Sequence, residues 1–467
     1  MKFFEALRNI TKVEDLRNRV LFTLGLIAVY RIGAFIPTPG INTELLAQIF
    51  EANKGSVLGL VNLFSGGNFG RMTIFALGIT PYITASIILQ LMTVVIPYLE
   101  RLQKEGELGR KKITQYTRYL TVGLAAFQAL TIARILVGQN IEGQALVYNP
   151  GPAFYLMTII TLTTGTAFIM WLGEQISERG IGNGMSLIIF AGIVAGLPGA
   201  MQDLGIKIAD NVWGNFTVIA VAMLLAVMIG VVAFIVLVEG GQRRIPVQYA
   251  KRVVGRRMMG GQMTYLPLKV NAGGVIPPIF ASSLLSFPQT LAMFFQNKYQ
   301  FMEKMSEALR WGEPLYTLLY VLLIVFFAFF YVGIVFNPTE LADNMRKYGG
   351  FIPGIRPGRN TSEHINRILT RLTFVGGVYL AMVCLIPEWM IAGIRLHHLP
   401  VVGGWFDTVM PQWVLNGLGV NFYFGGTSLL IVVGVAMDTV QQLEAQLVMR
   451  HYDGFVRKGR LRGRRMG

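Results

Sequence analysis

A chain of 467 residues that is 53% hydrophobic and only 14% charged is too apolar to be a soluble domain of ordinary make-up. The formal net charge of +16 would suit a nucleic-acid binder, but the apolar residues fall in long blocks. Blocks of 18 or more residues with few charges cross a hydrocarbon core of about 30 Å as helices, so the sequence reads as an all-α polytopic membrane protein.

The N-terminal "MKFFEALRNITKVEDLRNRV" is charged and amphipathic, unlike a cleavable signal peptide. A first span is expected over Val20–Ile36. After it, "GSVLGLVNLFSGGNFGRM" (55–72) offers Ser56 as an N-cap, with Val57, Leu60, Val61 and Phe64 on one face at i, i+3, i+4, i+7 and Gly66-Gly67 to end the turn. Eight or nine helical residues reach only about 12 Å, far short of a span. Such a half-helix must fold back into protein, as a stopper in a pore or as an ordinary packed re-entrant segment.

The next four spans are expected over Met72–Ile96, Tyr119–Val137, Ala153–Leu172 and Gly184–Met201. In the second, Ile79 and Ile83 flank Pro81 and share a face; Met185 and Ile189 repeat that spacing in the fifth. "AGLPGAM" (195–201) supplies Gly and Pro where two halves would join, a hinge. Spans six to ten are expected over Phe216–Val238, Gly273–Phe295, Leu315–Phe336, Leu372–Ile386 and Phe422–Met437. They place Ile279 and Ile431 near span centres, where lipid or core packing is the common role of such residues. The one cysteine, Cys384, lies inside the ninth span and reads as packing.

Two loops stand out. "RRIPVQYAKRVVGRR" (243–257) carries six basic residues and no acidic one, and its Ile245, Val247 and Tyr249 alternate as in a strand of a hairpin. Its charge suits RNA phosphates or an acidic protein face, although the charge bias of cytoplasmic loops accounts for part of it. In "NPTELADNMRKYGGFIPGIRPGRNTSEH", Arg356 sits between Pro353-Gly354 and Pro357-Gly358, two turn signals that would present it rigidly. Glu363, three residues after Asn360, would complete a helix cap.

Basic residues set the orientation. With the N-terminus inside, cytoplasmic segments hold 32 of the 41 Lys and Arg residues; seven fall in outer loops, and Arg31 and Arg134 lie towards the outer ends of spans. The positive-inside rule then puts both termini in the cytoplasm and explains the net charge without nucleic acid. Five spans per half invert the second half relative to the first. The expected organisation is an N-terminal half (1–213), a C-terminal half (214–447) with cytoplasmic loops at 239–272 and 338–371, and a basic tail (448–467).

All four histidines lie in loops or the tail, no Asp or Glu lies mid-span, and no Gly-Lys pair offers a phosphate loop. These features argue against an enzyme and give little support to an ion-coupled solute transporter. An insertase without a pore is a second alternative. No metal or cofactor is implied.

Several stretches together resemble the SecY family of protein-conducting channels. They include "VYRIGAFIPTPG" (29–40), "NLFSGGNFGRMTIFALGITPYITASIILQL" (62–91), "GRKKITQYTRY" (109–119), "MWLGEQISERGIGNGMS" (170–186) and "GQRRIPVQYAKR" (241–252). "LPLKVN" (266–271), "GVIPPIFASS" (274–283), "FNPTELADN" (336–344), "GIRPG" (354–358) and "FYFGGTSLLIVV" (422–433) continue the match. The resemblance implies two inverted five-helix halves around an hourglass pore in the bacterial inner membrane. It implies a plug near 57–67, taking in Ser65, Gly66 and Gly67, and a waist of Ile79, Ile83, Met185, Ile189, Ile279 and Ile431. A lateral gate would bring in Gln90, Ser282 and Ser283. Docking of the ribosome and of the SecA motor ATPase would fall on Arg243, Arg244, Lys251, Arg252, Arg256, Arg257 and Arg356. The implied partners also include the small membrane subunits SecE and SecG, signal peptides, nascent chains and membrane lipids. Met185 departs from the isoleucine more usual in the family, and the outer segment 391–420 is longer than in familiar relatives.

Overall fold

The computed structural model describes residues 13–52, 65–138, 140–141, 144–209, 217–249, 252–254, 257–259, 263–295, 304–305, 308–309, 313–392 and 426–459. Among them, each of the ten expected spans is carried by a helix: α1 (Glu14–Gly33), α3 (Thr80–Val95), α5 (Glu107–Gly138), α6 (Pro152–Arg179), α7 (Gly184–Ala209), α8 (Thr217–Glu239), α9 (Ile276–Phe295), α10 (Pro314–Val335), α12 (Arg359–Ala392) and α13 (Gly426–Gly459). Three shorter helices, α2 (Thr43–Ala52), α4 (Pro97–Lys104) and α11 (Pro338–Lys347), lie between them. The chain divides into two compact units, one of Met1–Gly205, Thr290–Tyr299 and Val435–Gly467, the other of Ile206–Gln289 and Gln300–Gly434.

In the first unit α5 packs along α6 and α3. Ala125, Ala129 and Ala133 recur every fourth residue on α5 and are fully buried with Leu162 of α6. Small residues on one stripe let helices approach closely, which matters in lipid because apolar burial from water is no longer the driving force. The same logic governs Gly165 on α6, where a Cβ would overlap the carbonyl of Ile74. Gly165→Leu is therefore expected to destabilise the protein by at least about 2 kcal/mol through overpacking against backbone, read as a lower midpoint in detergent-denaturation curves.

The second span departs from expectation. Residues 65–79 are turns apart from a single bridge at Thr73, and α3 begins only at Thr80, not at Met72. The backbone explains this: Met72 has φ +46° and Gly78 φ +57°, and Pro81 sits in the first turn of α3, where its missing N–H costs nothing. At the other end Ile96 is extended (φ −98°, ψ 114°) because the following Pro97 bars it from the helical region. There the chain bends by 100° into α4, a short amphipathic helix that buries Leu99 and Leu102 and exposes an ion pair between Lys104 and Glu100.

Other helices outrun their apolar blocks. α5 starts 12 residues before the expected third span and α12 13 before the ninth, because charged turns continue a helix once it has left the hydrocarbon. Pro198 lies inside α7, so "AGLPGAM" is part of a continuous helix and not a loop between two helices.

The second unit holds a three-stranded antiparallel sheet. Strands β1 (Asn140–Ile141) and β2 (Gln144–Ala145) form a small hairpin in the first unit. The larger sheet has the order β6-β3-β7, with β3 (Gln242–Tyr249), β6 (Met263–Lys269) and β7 (Gly350–Phe351). Strands β4 (Arg252–Val254) and β5 (Arg257–Met259) pair separately. Within the same unit α10 and α11 both pack on α12.

Candidate functional site

The alternation in 245–249 becomes a strand with one buried face. Ile245 and Val247 are 4% exposed, and with Leu268, Met345, Ile352, Ile365 and Leu369 they form a core; Tyr249 packs against it. Arg243 and Arg244 on the same strand are exposed. Arg252 and Arg257 lie on β4 and β5, whereas Lys251 and Arg256 fall outside the described residues.

The second loop joins this platform through backbone. Gln248 pairs with Phe351 and Tyr249 with Gly350, about a hundred residues further along. Ile352 then enters the shared core, and Ile355 N donates to Ile352 O at 3.1 Å. Gly354 (φ +81°) and Gly358 (φ +102°) adopt left-handed turns on either side of Arg356, a conformation that suits glycine. Thr361 Oγ1 donates to the Arg356 carbonyl at 2.9 Å, so the backbone under the exposed side chain is held while its guanidinium is free of any acidic partner among the described residues. The expected cap differs in detail. Helix α12 already begins at Arg359, so Asn360 lies within its first turn, and Glu363 accepts from Arg359 Nε at 3.0 Å.

Of the waist candidates, Ile79, Ile83, Met185 and Ile189 belong to the first unit and Ile279 and Ile431 to the second. Ile83 N donates to Ile79 O at 3.1 Å across the first turn of α3, which stacks the two side chains as their spacing required. Ile79 and Ile189 are buried in their unit, Ile83 and Met185 half-buried, and Met185 rests against Gly173. In the second unit Ile279 is buried on α9 and Ile431 on α13.

Most of the plug stretch, with Val57, Leu60, Val61 and Phe64, lies outside the described residues. Its end is described. Gly66 (φ +70°) and Gly67 (φ +83°) are both left-handed, as a helix-terminating pair would be. Gly66 lies directly on α7: a Cβ there would stand 2.6 Å from Gly192 Cα. Asn68 Nδ2 donates to Tyr30 Oη at 3.2 Å, Tyr30 Oη donates to the Ser65 carbonyl, and Phe69 N donates to Ser65 Oγ at 3.0 Å. The two bonds through Tyr30 pin the segment to α1, and the third stiffens its own turn.

The gate candidates sit on α3 and α9. Gln90, in the first unit, donates from Nε2 to Ser86 Oγ at 3.4 Å. In the second unit Ser282 Oγ donates to Ile279 O at 3.0 Å, and the buried Ser283 accepts at its carbonyl from Ser286 Oγ at 2.8 Å.

One polar contact escaped sequence reasoning. Asn271, leaving β6, donates from Nδ2 to Glu239 Oε1 at 2.6 Å and to the Gly274 carbonyl at 3.0 Å, with both Glu239 and Asn271 buried. Both ends of the hairpin are thus fastened to each other where α8 stops and α9 is about to start. The available signal was an acidic residue closing an apolar span and an asparagine opening the next.

Comparison with known proteins adds a separate line of support. The family model described as SecY matches residues 73–440. The protein translocase subunit SecY of Escherichia coli K12 is 48% identical over 452 residues, covering 96% of each chain. That of Streptomyces griseus is 48% identical over 465 residues, covering 97% of this chain and all of the relative. A solved protein-conducting channel superposes with a TM-score of 0.61 at 18% identity over 92% of each chain. Sec61 from a canine ribosome–channel complex of the endoplasmic reticulum does so at 0.57 and 17%, again over 92% of each.

Proposed function

The chain belongs to the SecY family and is a protein-translocation channel of the membrane, and from that premise we propose how its parts divide the work. It lies in the bacterial inner membrane with both termini in the cytoplasm, an orientation that the charge bias of its loops supports. Unfolded secretory polypeptides pass between the halves, 1–213 and 214–447, through a waist of Ile79, Ile83, Met185, Ile189, Ile279 and Ile431. The segment ending at Ser65–Gly67 closes that path at rest.

The physical case for an apolar waist is that it binds no side chain, charged or neutral, and that a narrow apolar constriction dewets and so resists ions. Sideways release follows from partition. Leu or Ile at a helix centre favours lipid by a few tenths of a kcal/mol, whereas Asp, Lys or Arg costs roughly 2.5–3.5 kcal/mol. Gln90, Ser282 and Ser283 line the opening where a segment makes that choice.

The pull or push comes from bound partners, a ribosome or a motor ATPase. The observation that carries this reading is the β3–β7 pairing, which sets Arg243, Arg244 and Arg356 on one framework. An exposed cationic framework is suited to ribosomal RNA and to an acidic face of the SecA motor ATPase. Solved relatives of the fold have been seen on ribosomes, Sec61 among them. SecE and SecG complete the membrane complex, and signal peptides, nascent chains and lipids are its clients and surroundings.

A photo-crosslinking residue at Ile189, another at the lipid-exposed Ile229 of α8, and a secretory chain stalled in transit test the path. Crosslinks at position 189 alone are expected. Crosslinks at neither site would remove the waist from the mechanism.

A further inference from the structure

The positive-inside pattern leaves nine of the 41 basic residues away from the cytoplasm. Two of these nine converge on one ring. The guanidinium carbon of Arg31 stands 6.0 Å from the centre of the Phe35 ring, and that of Arg71 stands 5.6 Å from it. No ion pair is formed by either arginine among the described residues, and Arg31 Nη1 is buried without a hydrogen-bond partner.

The arrangement is built by backbone. Ile74 N donates to Ile36 O at 3.0 Å and Thr38 N to Met72 O at 2.8 Å, with Pro37 bridged to Thr73. These bonds lay the segment carrying Arg71 against the segment carrying Phe35, and Arg31 stands on the last turn of α1, one turn before that ring. The surroundings are apolar and outward-facing: Ile32 is 69% exposed, Phe35 65% and Ile36 49%. Arginine is costly at the edge of hydrocarbon unless its charge meets a counter-charge, and the buried, unpartnered Nη1 of Arg31 adds a further unmet need.

We propose that Arg31, Arg71 and Phe35 form a binding site for the headgroup phosphate of an acidic phospholipid, with its acyl chain lying along Ile32 and Ile36. A phosphate offers oxygens to planar guanidinium forks and lies at the depth where an outer span end meets the headgroups. Phe35 draws both cations to one ring, so that two positive charges stand together beside the apolar surface. That the lipid belongs to the outer leaflet rests on the proposed orientation; the binding does not.

The test uses the intact channel complex in nanodiscs of phosphatidylglycerol or of phosphatidylcholine, released into native mass spectrometry. The wild type is expected to retain about one more phosphatidylglycerol than Arg31→Gln or Arg71→Gln does, and to show no such difference with phosphatidylcholine. Arg71→Lys should keep most of the retention, which separates lost charge from misfolding, and a detergent-denaturation midpoint checks each variant. Equal retention by wild type and both glutamine variants would overturn the site. Equal retention of the two lipids by wild type, or full loss of the bound lipid to inorganic phosphate, would overturn its assignment to an acidic phospholipid. Failure of the crosslinking experiment at Ile189 would leave this site untouched, because no part of it lies on the proposed path.

Discussion

Arg356→Glu is expected to abolish motor-driven export while the protein still folds and inserts. The reasoning starts from rigidity. Left-handed glycines at 354 and 358 flank the residue, Thr361 ties its carbonyl, and Ile352 anchors the loop in a core shared with Ile245 and Val247. The side chain itself has no intramolecular role to lose: it is exposed and free of any ion pair among the described residues. Charge reversal therefore acts on the partner, where removing a well-placed cation and adding a repulsive anion at an interface costs several kcal/mol. At about 1.4 kcal/mol per tenfold, a loss of roughly a hundredfold or more in export by membrane vesicles follows. Arg359→Glu is the companion measurement. Arg359 is only three residues away and 90% exposed at its side chain, but it already pairs with Glu363, so its reversal should reduce export far less. Equal effects of the two would mean that bulk positive charge, and not the presented arginine, does the docking.

Removing residues 57–67 is expected to raise the resting ion conductance of the channel in planar bilayers, and Gly66→Val should reproduce much of the effect without a deletion. Valine at Gly66 meets two obstacles together: a φ of +70°, and a neighbouring Gly192 Cα that its Cβ would approach to 2.6 Å. A β-branched residue held at positive φ costs on the order of 1–3 kcal/mol, before the steric overlap is added. Spent on the seated state alone, that strain raises the unseated population by about five- to 150-fold. Gly67→Ala is the control, since nothing stands within 4 Å of a Cβ there; it should show the φ penalty without the clash. Unchanged conductance in both the deletion and Gly66→Val would remove the plug from the closed state.

Much of this was legible in the chain. Among the described residues each of the ten apolar blocks carries a helix, because backbone satisfaction in lipid leaves few other choices. The platform strand was visible in the alternation of Ile245, Val247 and Tyr249. What could not be read was how distant segments share a surface. No local pattern announces that Gln248 will pair with Phe351, since a two-residue strand carries almost no propensity signal. The late start of α3 was likewise hidden, because residues 72–79 are as apolar as the helix they precede. Only the glycine at 78 and the proline at 81 hinted at it. Arg71 was counted in an outer loop and Arg31 at the outer end of a span, and their convergence on Phe35 depends on backbone bonds between segments about 36 residues apart.

The β3–β7 pairing also bears on how the protein is made. By the time residue 269 leaves the ribosome, β3 and β6 can form a hairpin, but the covering residues Met345, Ile352, Ile365 and Leu369 do not yet exist. Until they are synthesised, Ile245 and Val247 face water and one edge of β3 has no neighbour. A truncated or stalled chain thus carries no finished docking seat and displays an unpaired strand edge beside apolar side chains, a surface that proteases and chaperones recognise. The last contacts to form are those that complete the proposed docking platform, so on that reading an unfinished channel competes poorly for the partners that would drive it.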